Sequence, residues 1–285
     1  MDTEKQINSQ LAVQGDEYHN HPPDVITSSS LRDFLKSPHY YYNRYVARIL
    51  PGESTESLSF GTAFHHAVLE PQLFNELYYS DPFRGNTKQS KQLAADFPGK
   101  IRLTQHSYEL CTALAKIAWN HPTAQEECSH GTVERPVQAK LKNGLTVKCK
   151  PDLINELGVY DLKSLGKPLN MFSEHAFSLS YHIQAAFYTG VLFGAKEQLH
   201  RDFNFWVVTK RQPYQCGFFR IPWEECMNVW KEVCIPALND LAKFLKSDEW
   251  AEDSRGSIDK TIHIPAKLTR YKYDNGNLDK SSIKG

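Results

Sequence analysis

Two short acidic signals at hairpin distance constrain this chain more than any other feature. Pro151-Asp152 closes one strand-like run, and Asp161-Leu162-Lys163 begins nine residues after Asp152, inside another. Alternate residues of a strand share a face. Over 157–163, Asp161 and Lys163 therefore point one way, and Tyr160 and Leu162 point into the core. The run 144–152 alternates too, with Leu145, Val147 and Cys149 on one side and Thr146, Lys148 and Lys150 on the other. Asn143-Gly144 supplies a hairpin turn leading in. The pattern predicts two neighbouring strands that bring two carboxylates and one lysine to their ends. That set suits metal-assisted hydrolysis of a phosphodiester, in which carboxylates hold a hard divalent cation that activates water and offsets charge. The lysine would orient or deprotonate that water and neutralise the scissile phosphate. Asp161-Leu162-Lys163 is the only acid-x-Lys tripeptide in the chain.

The composition fits such a protein. The 285 residues can bury a substantial core, and 40% hydrophobic with 23% charged residues is ordinary for a globular chain. The formal charge of zero excludes a uniformly basic surface but not a local basic groove beside an acidic metal site. No apolar run is long enough to span a bilayer. The start, Met1-Asp2-Thr3-Glu4-Lys5, has no basic segment followed by an apolar one, so a cytoplasmic location is expected. The six cysteines form no Cys-x-x-Cys pair and no compact cluster, which argues against a zinc ribbon or an iron–sulfur cluster and for reduced, partly buried thiols.

Along the chain, residues 1–24 read as a loose polar arm. Thr27 to Ser30 cap a helix, which Pro38 divides in two. Residues 58–69 form a second helix, ended by Pro71, and 80–100 read as a mobile loop. Residues 104–119 are an amphipathic helix. Three strands are expected at 132–140, 145–150 and 157–163, then a helix at 181–193. Two more strands follow at 202–209 and 216–221, joined by a turn around Gln212-Pro213, and a long helical region at 223–250 bends at Pro236. A polar extension over 251–285, partly disordered, completes the chain. The resulting fold class is α/β: a helical N-terminal part, a central mixed β-sheet flanked by helices, and one domain over 25–250.

Further motifs extend the acidic pair. Phe60-Gly61-Thr62-Ala63-Phe64-His65 lies with Val68-Leu69-Glu70-Pro71 on the second helix, and Tyr181-His182-Ile183-Gln184 continues to Tyr188 on the later one. Gln184 and Tyr188, four apart, share a helix face. Taken in order with Cys149-Lys150-Pro151-Asp152 and Asp161-Leu162-Lys163, these segments resemble the RecE-type exonucleases (exonuclease VIII) of the PD-(D/E)xK, or RecB-like, nuclease superfamily. The resemblance covers about residues 25–250. It implies a restriction-endonuclease-like core and a metal site of His65, Asp152, Asp161 and the Leu162 backbone carbonyl. It implies Lys163 as the catalytic lysine, with Gln184 and Tyr188 ordering it or touching the DNA backbone. Glu134 is a further acid upstream of the Pro-Asp strand, in competition with Glu126 and Glu127. Lys148 and Lys150 are candidate DNA-backbone contacts, and Tyr40, Tyr41 and Tyr42 are expected to be packing aromatics.

The same resemblance implies Mg²⁺, with Mn²⁺ as substitute, and 5′-to-3′ digestion of linear double-stranded DNA that leaves 3′ single-stranded tails. A RecT-type annealing protein would load those tails during phage-type recombination in a bacterial host. A homo-oligomeric ring, a trimer or tetramer, would supply processivity. No Gly-x-x-x-x-Gly-Lys-Ser/Thr loop occurs in the sequence, which agrees with ATP independence. The rival expectations are a RecB-like nuclease of single strands or flaps in repair or defence, and a non-catalytic DNA-binding assembly protein.

Overall fold

The structure, a computed structural model, describes residues 22–50, 56–196, 200–247, 250, 272–274 and 277–279. Residues up to Trp250 form one compact unit and 251–285 a second. In the second unit Lys272–Asp274 pairs antiparallel with Asn277–Asp279. The expected N-terminal arm lies outside the described residues as far as position 21, and so does most of the expected C-terminal extension.

The first unit is the α/β fold that the pattern predicts, with mixed sheets covered by helices. Its strands are β1 (Val25–Ile26), β2 (Tyr78–Asp81), β3 (Ile101–Thr104), β4 (Thr132–Val133) and β5 (Val137–Lys140), followed by β6 (Thr146–Cys149), β7 (Leu153–Ile154), β8 (Val159–Leu165), β9 (Phe203–Thr209) and β10 (Cys216–Ile221). The five-stranded sheet runs β10-β9-β8-β7-β4, and a three-stranded sheet runs β1-β6-β5. β8 and β9 are parallel, in register from Val159↔Phe203 to Leu165↔Thr209. β9 is buried along its whole length, as a strand covered on both faces must be. Val159, Phe203, Phe205 and Val207 face one core, with the Tyr181–Gly194 helix. Tyr160, Leu162, Trp206 and Val208 face the other, with the Glu56–Leu69 and Gln105–Trp119 helices. The sheet is thus the wall between two apolar layers, and the period-two alternation of β8 decides which layer each side chain enters.

Several elements differ from the sequence expectation. The strands expected as neighbours, β6 and β8, belong to different sheets, because the chain leaves the first sheet at Pro151 and pairs with β8 only through β7. The supposed strand over 132–140 is two strands, β4 and β5, one in each sheet, separated by Glu134 at φ 52. The region expected as a mobile loop, 80–100, runs from the end of β2 to the start of β3, which pair in parallel, and holds the Lys88–Asp96 helix, capped by Thr87. Its organiser is Asp81, 1% exposed, which accepts from Ser90 Oγ at 2.5 Å, Arg102 Nε at 2.5 Å and the Phe83 N–H at 2.8 Å. Ser90 and Arg102 are too far from Asp81 in sequence for local propensity to reveal. Pro71 opens the Pro71–Leu77 helix rather than only ending the previous one. Residues Pro23 and Asp24 are tied to the fold, through Tyr41 Oη on the Pro23 carbonyl (2.7 Å) and the Thr146 N–H on the Asp24 carbonyl (3.0 Å). Where the bend is expected, a π-helical turn at Trp230–Cys234 stands just before Pro236, and the helical run continues without a break from Trp223 to Ser247, so the proline lies in its interior. Helices at Pro122–Glu127 and Phe172–Ser178 were not anticipated.

Cys111, Cys128, Cys149, Cys216, Cys226 and Cys234 are all free thiols, five of them buried. Among the described residues, no helix is long and apolar enough to cross a membrane.

The Tyr181–Gly194 helix is pressed close to that π-helical turn at one glycine. A Cβ at Gly190 would lie 2.1 Å from the Trp230 ring, so the helix approaches the indole only because no side chain intervenes. Gly190→Ala is expected to destabilise the protein by about 2 kcal/mol or more through overpacking, read as a lower urea midpoint at unchanged slope.

Candidate active site

Pro151 is the local cause of the site. β7 pairs antiparallel with β8 as Leu153↔Tyr160 and Ile154↔Val159. Extending that register by two residues sets Pro151 opposite Leu162, and proline has no N–H to give the Leu162 carbonyl. The strand pair ends there, and a side chain takes over. Asp152 Oδ2 accepts the Leu162 N–H at 2.6 Å. In a strand the N–H and C=O of one residue leave on the same side, so the Leu162 carbonyl is also directed to the Asp152 edge.

The same extension applied to β4 and β7, which pair as Thr132↔Ile154 and Val133↔Leu153, puts Glu134 opposite Asp152. The Glu134 N–H donates to the Asp152 carbonyl at 3.2 Å. Like charges directly opposed across strands repel, and Glu134 adopts a left-handed backbone at φ 52, a conformation costly for a residue with a Cβ. His65, from the Glu56–Leu69 helix, completes the group, with Nδ1 3.4 Å from Asp152 Oδ1. One ligand atom from each of His65, Glu134 and Asp152 lies within 4.8 Å of the others. Two carboxylates and an imidazole crowded in this way fit a hard-to-borderline divalent cation.

Asp161 stands beside this group but is held by others. It is 2% exposed. Its Oδ2 pairs with Lys163 Nζ at 2.5 Å and its Oδ1 accepts from Gln184 Nε2 at 2.7 Å. Lys163 also lies over the Tyr181 ring, 4.8 Å from its centroid, a cation–π contact. The sequence reading placed Asp161 and Lys163 on one face and Gln184 near them, and the structure brings all three into contact. It did not single out Tyr181, although Tyr181 precedes Gln184 by three residues on the same helix face.

The charges in the site set one another. Burial raises the Asp161 carboxyl above its ordinary range, more than Lys163 lowers it. Burial disfavours the Lys163 ammonium, yet Asp161, Tyr181 and Asp152 together more than restore it, and the pKa lies above the usual lysine value. For His65, burial is likewise outweighed by Asp152, and the imidazole is raised. For Asp152, burial is outweighed by His65 and Lys163, and the carboxyl is lowered. Glu134 is raised, by burial first and by Asp152 second, against its ion pair with Lys150.

The remaining candidates are placed as follows. Lys150 pairs with Glu134, so it belongs to the acidic group itself. Lys148 lies on β6 opposite Gln138. Tyr188 is 9% exposed, one turn past Gln184, with its ring edge-on to Phe203 at 6.0 Å between centroids. Glu127 is committed elsewhere, to Tyr160 Oη at 2.8 Å and to Arg220, and Glu126 is exposed. Tyr41 is fully buried, stacked on Trp250, and Tyr40 accepts a hydrogen bond from Arg44 at 2.9 Å.

Comparison with known proteins agrees with this architecture. The family described as "PDDEXK-like domain of unknown function (DUF3799)" matches residues 27–260. A crystal structure of a "putative exonuclease" from Eubacterium rectale superposes with a TM-score of 0.57 at 15% identity, covering 85% of this chain and 91% of that one. No curated protein matches the chain.

A divalent cation held by His65, Glu134 and Asp152 requires the imidazole to be neutral. Because Asp152 raises the His65 pKa, binding should release a proton and weaken as pH falls through the His65 titration. Calorimetric titration with Mn²⁺ in buffers of different ionisation enthalpy measures both. Glu134→Gln and His65→Ala should each weaken binding about tenfold or more, and His65→Ala should also reduce the proton release.

Proposed function

The chain belongs to the PDDEXK-like family, and on that footing we propose that it is a metal-dependent nuclease that hydrolyses DNA from its ends. The observation that carries this reading is the pairing of Lys163 with a buried Asp161 one residue either side of Leu162, whose N–H is fixed by Asp152. It puts a cation for phosphate and water directly beside a ligand set for a metal.

Each side chain then has a physical task. His65, Glu134 and Asp152 would hold Mg²⁺ or Mn²⁺, with Asp161 and the Leu162 carbonyl at its margin. A cation so bound acidifies water and polarises a phosphoryl oxygen. Asp161 keeps Lys163 charged and aimed, Gln184 fixes the other oxygen of Asp161, and the Tyr181 ring covers the ammonium. Lys163 acts as a charge that orients the attacking water and offsets the scissile phosphate. Lys150, beside Glu134, and Lys148, on the same face of β6, lie where a DNA backbone would approach. Tyr188 supports Gln184 from the next helical turn.

The finer reading rests on the resemblance of the motifs to RecE-type exonucleases. On that reading the substrate is linear double-stranded DNA, digested 5′ to 3′ without ATP by a ring of three or four subunits. The 3′ tails pass to a RecT-type annealing protein during recombination, in the cytoplasm of a bacterium carrying a phage or prophage.

Linear and covalently closed duplex DNA, incubated with the purified protein and Mg²⁺, separate the possibilities. Loss of the linear form only, with release of 5′-labelled mononucleotides, is expected. Chelation by EDTA and the substitution Asp161→Ala should each abolish it. Cutting of the closed circle would indicate an endonuclease, and cutting of single strands with the duplex spared would indicate a RecB-like enzyme. Absence of any Mg²⁺-dependent cleavage would leave a DNA-binding protein.

A further inference from the structure

The parallel strands β8 and β9 end at Leu165 and Thr209, on a rim of which the chemistry above uses only Lys163. In open α/β sheets, ligands bind beyond the carboxyl ends of the strands. Charge along the chain is sorted to match. Glu156 and Asp202 stand just before the two strands. The segments that leave them carry Lys167, Lys210 and Arg211, with no acid until Glu174 after β8 and none until Glu224 after β9.

Lys210 is a cation of that rim whose position the fold fixes. Its N–H donates to the Leu165 carbonyl at 2.8 Å and so extends the β8–β9 pairing by one bond. Leu165 is two residues past Lys163, about 7 Å along the strand. Thr209, buried just before it, accepts the Gln215 N–H at 2.8 Å and closes the turn to β10. The side chain is placed as well. Lys210 Nζ lies over the Phe60 ring, 5.3 Å from its centroid, a cation–π contact. A Cβ at Gly166 would stand 3.5 Å from Lys210 Cε, so the end of β8 passes along the lysine stem.

Contacts lead from this lysine to the metal-ligand group. Phe60 stacks on Phe64, with centroids 6.4 Å apart and planes 8° from parallel, and the Phe64 ring meets the His65 ring at 6.3 Å and 76°. Phe64 is fully buried, so the core sets this row of rings. Lys210 is thereby fixed relative to Lys163 through β8 and to His65 through the Glu56–Leu69 helix. The two lysines nevertheless serve different places. Tyr181, over which Lys163 lies, packs on one core, and Phe60 packs on the other. Lys210 continues the alternation of Trp206 and Val208, on the Phe60 side of the sheet. Two ammonium groups on opposite faces take different phosphates. Burial and the Arg211 charge both lower the Lys210 pKa, so an approaching anion relieves a charge that its surroundings disfavour. A lysine is a point charge suited to phosphate, and an aromatic ring beneath it aims that charge without neutralising it.

We infer that Lys210, seated on Phe60, binds a second phosphate of the DNA strand being cut, distinct from the scissile one. The inference rests on the nuclease reading of the site and adds to it a fixed point that sets the register of the strand over the metal-ligand group.

A neutral-phosphate scan tests this. Short linear duplex oligonucleotides, each with one methylphosphonate, and a pair with and without a terminal 5′-phosphate, are titrated by anisotropy in EDTA at several salt concentrations. The proteins are wild type, Lys210→Met, Lys210→Gln and Lys210→Arg. The Met and Gln variants should bind the unmodified duplex about tenfold more weakly. Their slope of log K against log salt should be smaller by about one, which a purely structural lysine would not change. Lys210→Arg should keep both affinity and slope. One methylphosphonate should weaken wild-type binding by a similar factor and cost the Met and Gln variants nothing further. If the phosphate is the terminal one, omitting the 5′-phosphate has that selective effect; if it is internal, only a methylphosphonate does. Thermal melting checks folding, and two uncharged substitutions keep the readout if one of them unfolds. Unchanged affinity and slope in the Met and Gln variants would overturn the inference, as would methylphosphonate losses that persist in them at every position. Mg²⁺-dependent cleavage by wild type is measured alongside. If wild type cleaves and the Met and Gln variants bind as it does, only the Lys210 seat fails; if wild type neither binds nor cleaves DNA, the nuclease reading fails with it.

Discussion

The bond from the Leu162 N–H to Asp152 Oδ2 is the contact on which the rest of the site depends. It stands where a strand partner would have been. Proline at 151 ends the β7 pairing, and the carboxylate that follows closes the gap that the proline opens. One side chain thereby fixes the edge of β8, faces Glu134 across the end of β4 and meets His65 from a helix on the other layer. An isosteric amide could keep part of the shape, but not the charge that draws His65 and opposes Glu134.

The neighbouring group follows a different logic. Asp161 and Lys163 share a strand face, so their pairing is built into the backbone of β8. Their environment comes from elsewhere: Gln184 and Tyr181 project from one helix, which at Gly190 packs closely against Trp230. Burial alone would discharge both Asp161 and Lys163. Asp161, with Tyr181 and Asp152, keeps Lys163 charged, while at Asp161 burial still outweighs Lys163 and leaves the carboxyl raised. The acidic cluster has the opposite balance. Glu134 sits opposite Asp152 in a strained backbone, with Lys150 as a partial counter-charge, an arrangement whose repulsion a divalent cation would relieve.

The difference between these two groups explains what could be read in advance. Asp161, Lys163 and Asp152 stood out because strand periodicity and a proline are local signals. Gln184 and Tyr188 stood out as an i, i+4 pair. Of the two, the structure gives Gln184 a direct hydrogen bond to Asp161 and sets Tyr188 in the core against Phe203. Glu134 was one of three competing acids in the sequence. Its selection depends on the register of β4 against β7, a pairing between segments about twenty residues apart that local propensity cannot weigh. The same blindness hid the ordered region around Asp81 and the splitting of 132–140 between two sheets.

By itself, the sequence determined the α/β class, the alternation that sorts β8 and β9 between two cores, the helices that carry His65 and Gln184, and the identity of the acid-x-Lys pair. These rest on periodicity and on covalent constraints such as the missing N–H of proline, which act within a few residues. Only the tertiary structure decided that β6 and β8 lie in separate sheets, that Glu134 rather than Glu126 or Glu127 joins His65 and Asp152, and that Tyr181 covers Lys163. Those outcomes depend on which distant segments pair and how deeply their charges are buried, and burial is a property of the assembled layers rather than of any stretch of chain.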